Sequence, residues 1–157
     1  MNALLVYFSR YGNTQKVAEA IAETLESVGS VCLLRLDQLT ASDMQGLDLV
    51  VMGCPTYRMS LPEAARHVLA GLPKCILRGT PVAAFDTSYK ISAFLAHFTA
   101  AKKLTRKTAK LGGKQIVPPG TFHVIGREGP LYEGEIERAS EWAELILSRL
   151  GKIQPER

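Results

Sequence analysis

Three short loops, each following an apolar run, hold the residue types best suited to chemistry. The first is Ser9-Arg10-Tyr11-Gly12-Asn13-Thr14. Hydroxyls at both ends, a glycine for the tight turn and an asparagine that tolerates left-handed geometry suit a loop wrapped around a phosphate. Exposed backbone N–H groups and the positive end of the helix that follows both favour an anion. A simple helix cap is the plainer reading of a Ser, Asn or Thr at such a place. Six polar loop positions directly after an apolar strand exceed what a cap needs, and the phosphate reading is preferred.

The second loop is Gly53-Cys54-Pro55-Thr56-Tyr57-Arg58. Pro55 fixes the backbone, and Tyr57 offers a flat ring with one polar end. Cys54 is set too close to Arg58 for the Cys-x5-Arg phosphate cradle, and no base neighbours it, so a nucleophile is not expected. The third loop is Asp86-Thr87-Ser88-Tyr89-Lys90, with a second ring at Tyr89 and an acid at Asp86 that equally suits a turn. His67, His97 and His123 are too scattered to hold a metal.

The segments that must position these loops alternate regularly. Ala3 to Phe8 reads as a central strand, apolar on both faces. Val17, Ile21, Leu25 and Val28 then share one helical face, stopped by Gly29. Strands are expected at Val31 to Leu36, Leu47 to Met52 and Pro81 to Phe85, the first of them at an edge. Pro62 opens a helix running to Gly71, and a long helix is expected from Ser92 to Leu111. A fifth strand is split by Pro118-Pro119 into Ile116-Val117 and Phe122 to Ile125. Ile136, Ala139, Ala143, Ile146 and Leu150 mark a last helix, closed by Gly151. Such alternation implies an α/β fold, a parallel sheet with helices on both faces. Ligands of such sheets bind beyond the strand C-termini, where the strand order reverses.

Composition narrows the classes. A chain of 157 residues is expected to form one domain, spanning 1–157, with a core large enough to need no disulfide or metal. Apolar residues at 46% and charged residues at 22% exclude disordered and low-complexity classes. No apolar run reaches the roughly 18 residues of a membrane span, so no membrane insertion is expected. The opening residues lack the basic flank and cleavage site of a signal peptide. Three cysteines without a CxxC point to a reduced, cytoplasmic protein. The formal charge of +4 comes from one stretch, residues 101–115, with six Lys or Arg and no acid. Lys103, Lys107, Lys110 and Lys114 would form one solvent stripe on a helix. No aromatics interleave with it, and nucleic acid is not expected as a partner.

The string Phe8-Ser9-Arg10-Tyr11-Gly12-Asn13-Thr14 resembles the FMN phosphate loop of flavodoxins, and the resemblance runs through Gly53 to Tyr57 to the final helix. It implies a flavodoxin-like three-layer sandwich with a five-stranded parallel sheet in the order 2-1-3-4-5, in the short-chain form. It further implies an FMN-binding electron carrier that serves redox protein partners, its donor and acceptor unnamed. Ser9 to Thr14 would hold the phosphate, with Arg10 adding charge. Tyr57 matches the ring that stacks on the isoalloxazine, within Pro55-Thr56-Tyr57-Arg58. Cys54 would pack beneath the flavin, and Asp86, Thr87 and Tyr89 would reach its pyrimidine end and second face. Two departures stand out. The family is typically acidic, and no glycine follows Tyr57, where the family often turns a peptide toward N5. The missing glycine predicts a less stabilised semiquinone than is typical. The basic stripe is expected to lie far from the flavin edge.

Two other classes share the pattern. One is an FMN-dependent NAD(P)H or quinone-type reductase, for which the sequence shows no acceptor pocket. The other is a binding module that kept the fold and lost the flavin. The electron carrier is favoured over both. A phosphoaspartyl receiver is excluded, because Ser9 and Gly53 stand where acids are required.

Overall fold

The computed structural model describes residues 1–92 and 94–153. One parallel sheet organises them: β1 (Asn2–Tyr7), β2 (Ser30–Arg35), β3 (Leu49–Pro55), β4 (Pro81–Ser88), β5 (Lys114–Gln115) and β6 (Gly120–His123). The order is β2-β1-β3-β4-β5, and β6 also pairs with β4, in parallel like every other strand pair of the sheet. β5 and β6 are the two pieces of the expected fifth strand, broken between Ile116 and Pro119, because a proline donates no ladder hydrogen bond. They lie about two residues earlier than the hydropathy suggested.

Alternate residues of each central strand feed two cores. Leu5 and Tyr7 of β1 join Ala83 and Phe85 of β4 beneath α1 (Asn13–Glu26) and α4 (Glu135–Ile153). Leu4 and Val6 join Met52, Val82 and Ala84 beneath α2 (Glu63–Ala70) and α3 (Ala100–Lys110). Burial of each such side chain contributes about 1.5–3 kcal/mol. β2 is the edge, exposed along much of its length. Trp142 of α4 packs edge-on to Phe85 and Phe122 and donates its indole N–H to the Pro118 carbonyl, a structural role.

Several boundaries differ from expectation. α1 stops at Glu26, leaving Val28 exposed, because the chain turns early into the edge strand. α4 runs through Gly151, since a solvent-facing glycine weakens a helix without ending it. The long helix expected over 92–111, which includes residue 93 outside the described set, is α3 alone, preceded by a 3-10 turn at Leu95–Phe98. The basic stripe is shortened accordingly: Lys103, Lys107 and Lys110 lie on α3, and Lys114 lies in β5. β3 and β4 each run three residues past their expected ends, to Pro55 and Ser88.

β1 sits between β2 and β3, so the chain goes one way from β1 and returns past it to β3. The order reverses there, and the loops leaving β1 and β3 splay apart at the C-terminal edge.

Candidate functional site

A cleft of about 650 Å³ opens at that switch point. The volume falls within the range of small-molecule sites. Its walls include Ser9, Arg10, Tyr11, Asn13 and Thr14 from the first loop and Pro55, Thr56, Tyr57 and Arg58 from the second. Thr87 and Tyr89 contribute from the end of β4. Eleven of the thirteen residues singled out from the sequence therefore meet in one place, Gly12 and Asp86 being the exceptions.

The first loop is held open by its own side chains. Ser9 Oγ accepts the N–H groups of Gly12 at 3.1 Å and Gln15 at 3.3 Å, which leaves its own hydroxyl proton free to donate outward. Gly12 is not in the wall; it makes the turn, with φ at +89°, where a side chain would be strained. The Asn13 amide donates to the Glu128 carbonyl at 3.0 Å. Thr14 Oγ1 lies 2.8 Å from Thr87 Oγ1, both buried. The side chains of Asn13 and Thr14, expected to touch a phosphate, thus brace the loop instead. Among the described residues, the backbone N–H groups of Arg10, Tyr11, Asn13 and Thr14 have no protein acceptor. Converging donors at the start of a 14-residue helix form an anion cradle.

The second loop is a two-residue hairpin. Tyr57 and Ser60 exchange backbone hydrogen bonds of 2.8 and 2.9 Å, and Arg58 and Met59 both adopt left-handed backbone, at φ 48° and 58°. This is the pattern of a type I′ turn, usually built with Asn and Gly. The absence of glycine did not prevent it. Lys103 of α3 donates from Nζ to the Met59 carbonyl at 3.0 Å and to Ser60 Oγ at 3.1 Å, clamping the strained turn from outside. The stripe thus begins at the cleft's rim, not far from it.

Cations crowd the ring of Tyr57. The Arg10 guanidinium carbon lies 5.7 Å from its centroid and that of Arg58 lies 5.6 Å away, while Arg10 is also 5.4 Å from the Tyr11 ring. Arg10 beside the phenol hydroxyl, with the charges of Arg58 and Arg127, holds the Tyr57 hydroxyl below its ordinary pKa.

Asp86 corrects the sequence reading. Its carboxyl does not reach the cleft: it is wholly buried within β4, on the face covered by α3. Side chains alternate along a strand, so Thr87 faces the cleft and Asp86 faces away. Asp86 Oδ2 accepts the Thr56 hydroxyl at 2.8 Å and the Ala101 N–H at 3.2 Å, and Thr56 Oγ1 accepts the Ala100 N–H at 2.9 Å. The pair caps α3 and pins the second loop to it. Burial raises the Asp86 pKa against these hydrogen bonds, and its other oxygen has no partner among the described residues. Cys54 likewise packs into the core beside α3 and does not line the cleft, and burial pushes its thiol up to about 12.

Sequence reasoning missed one wall entirely. Arg127 and Val124, from the turn after β6, line the cleft. Gly129 lets that turn approach, since a Cβ there would stand 2.5 Å from the Asn13 amide oxygen. The glycines and Pro130 of the Gly126–Gly134 segment mark a turn, but nothing local shows that it folds back on the first loop. Phe8, Pro62, Glu63, Ala64 and Ser88 complete the lining. No helix among the described residues is long and apolar enough to cross a membrane, and those residues hold no cluster able to bind a metal.

Comparison with known proteins agrees with this arrangement. The family model for flavodoxin matches residues 5–142. A flavodoxin of Clostridium saccharobutylicum is 23% identical over 163 residues, covering 98% of this chain and 99% of its own. Oxidised flavodoxin 2 of Bacillus cereus superposes with a TM-score of 0.78 at 19% identity, over 94% of this chain and 99% of that one. Flavodoxin 1 of the same organism gives 0.75 at 16%, over 94% and 98%.

Proposed function

The chain belongs to the flavodoxin family, and we propose on that premise how its residues hold FMN and present it to redox partners. It is an FMN-binding electron-transfer protein. The observation that carries the site assignment is the set of unpaired N–H groups at Arg10, Tyr11, Asn13 and Thr14, donors matched to a phosphate dianion. The Ser9 hydroxyl adds a further donor, and Arg10 adds charge without leaving the rim.

FMN, when bound, supplies the chemistry of storing and releasing electrons. The chain's own residues orient and shield it. Tyr57 and Tyr89 present rings to the cleft from the second and third loops, and their half-exposed state leaves one end open to a partner. Thr56 is held by Asp86, so the loop bearing Tyr57 is positioned before any ligand arrives. No side chain is asked to act as acid or base.

The two cores share one sheet, which supports residues 1–157 acting as one domain. Three free thiols favour a reducing compartment, and we assign the protein to the cytoplasm.

Titration of FMN into flavin-stripped protein tests the site, with riboflavin as the control lacking phosphate. Tight quenching of FMN fluorescence and at least hundredfold weaker quenching of riboflavin are expected. Equal affinities would overturn the phosphate assignment. Steady NAD(P)H consumption by the pure holoprotein would replace the carrier reading with a reductase.

A further inference from the structure

We propose that the rim of the cleft is a docking face for an acidic redox protein. The proposal rests on the cleft being the flavin site, since it concerns who approaches that site. Arg10, Arg58 and Arg127 line the opening, all exposed. Lys90 follows Tyr89, exposed, its Nζ 4.0 Å from the Tyr132 centroid. Lys103 stands at the outer side of the Tyr57–Ser60 turn. Against these five cations stand Glu63 in the lining, Glu128 beside Arg127 and Glu133 beside Tyr132, so that the cations outnumber the acids among the described residues. Asp86 is buried on the far side of β4 and adds nothing outward.

The apolar part of the face is carried by Phe94, Leu95 and Phe98, between Tyr89 and Ala100. That segment leaves the cleft at Tyr89 and returns at Ala100, whose N–H is bound to Thr56 Oγ1. Its two ends thus stand at the same edge of the sheet. On it Phe94 is 72% exposed, with Leu95 and Phe98 at 39% and 43%. Phe94 and Phe98 stack edge-to-face with each other at 5.8 Å, on the surface of the molecule. Exposed aromatics with arginines around them are the composition of a protein–protein contact. Arginine held over a tyrosine ring keeps its charge outward while its plane is fixed, which lowers the entropy lost on pairing with a carboxylate.

Charge decides the occupant. A net positive rim attracts an acidic partner and repels a basic one at the distance where encounter begins. The remaining positive charge on α3, Lys102, Arg106, Lys107 and Lys110, belongs to the same helix as Lys103 and adds to the field of the rim instead of opposing it.

The test uses the 15N-labelled holoprotein with two probes: an acidic plant-type [2Fe–2S] ferredoxin and basic horse cytochrome c. At about 20 mM salt the ferredoxin is expected to perturb amides of residues 10–11, 57–60, 89–92, 94–98 and 126–128, and at about 300 mM the effect should fade. Cytochrome c should leave them unmoved. Lys90→Glu, outside the cleft lining, should weaken ferredoxin binding about threefold, and Arg58→Glu/Arg127→Glu at least tenfold. Preferential binding of cytochrome c at this face, or ferredoxin confined to the Lys107–Lys110 end of α3, would overturn the proposal. FMN fluorescence is read in the same samples. Failure of the unsubstituted protein to hold FMN would count against the flavin site, whereas a displaced footprint with FMN bound would count against the docking face alone.

Discussion

Thr14 Oγ1 and Thr87 Oγ1 meet at 2.8 Å, buried, and join the first turn of α1 to the end of β4 across 73 residues of sequence. One hydroxyl donates and the other accepts, so the anion cradle and the third loop share a fixed separation. Thr87→Val keeps the volume and removes one partner, leaving a buried hydroxyl unmatched. The expected cost is about 1–2 kcal/mol, with a melting temperature about 2–8 °C lower. Thermal unfolding measures it, and an unchanged midpoint would show that the pair carries no stability.

Asp86 gives a prediction with a definite sign. Its pKa is raised in the folded protein by burial, so the folded state is favoured when the carboxyl is protonated. That contribution is full below the unfolded pKa and is lost as pH rises through the folded one. Asp86→Asn can still accept from Thr56 and Ala101 through its oxygen, and carries no buried charge. The variant is expected to match or exceed the parent in stability at pH 7, with the difference shrinking on acidification. Asp86→Ala, which abandons both donors, should lose about 2–4 kcal/mol. Denaturant midpoints across pH would decide, and an Asn variant markedly weaker at pH 7 would contradict the argument.

The left-handed pair Arg58–Met59 stores strain that glycine would relieve. Met59→Gly should raise stability by about 1 kcal/mol, because a Cβ in that region costs that much. The same variant tests the expected weak stabilisation of half-reduced flavin. Restoring a glycine should widen the gap between the two one-electron potentials of bound FMN. Reductive titration reads the gap, and no change would show that Lys103, not the residue type, governs the turn.

The three thiols should separate by reactivity. Cys32 and Cys75 are exposed, while Cys54 is buried with its thiol pushed up to about 12. Iodoacetamide at pH 8 should add two groups to the folded protein and three after denaturation, as intact mass would show. Three adducts on the native protein would mean that the core beside α3 opens.

The strands, the helices and two of the three loops were legible in the sequence because local patterns report them. An apolar run ending in Ser9-Arg10-Tyr11-Gly12-Asn13-Thr14 states both a strand end and an anion site, since backbone donors and turn residues act within a few positions. The helix stop at Val28 and the long helix over 92–111 were misjudged because propensity ignores where the chain must turn to reach the sheet.

What each side chain does at the cleft was decided only by the tertiary structure. Asp86 and Thr87 are neighbours in sequence and face opposite layers, which depends on where β4 ends, and β4 runs to Ser88 because β3 and β6 pair with it that far. Arg127 enters the wall because a glycine at 129 lets a distant turn pack on Asn13. Lys103 reaches the second loop because α3 starts where Asp86 and Thr56 cap it. The sequence alone determined that backbone donors converge after the first strand, in a turn suited to an anion. Which charges surround it depends on contacts between residues far apart in the chain, and no local pattern encodes those.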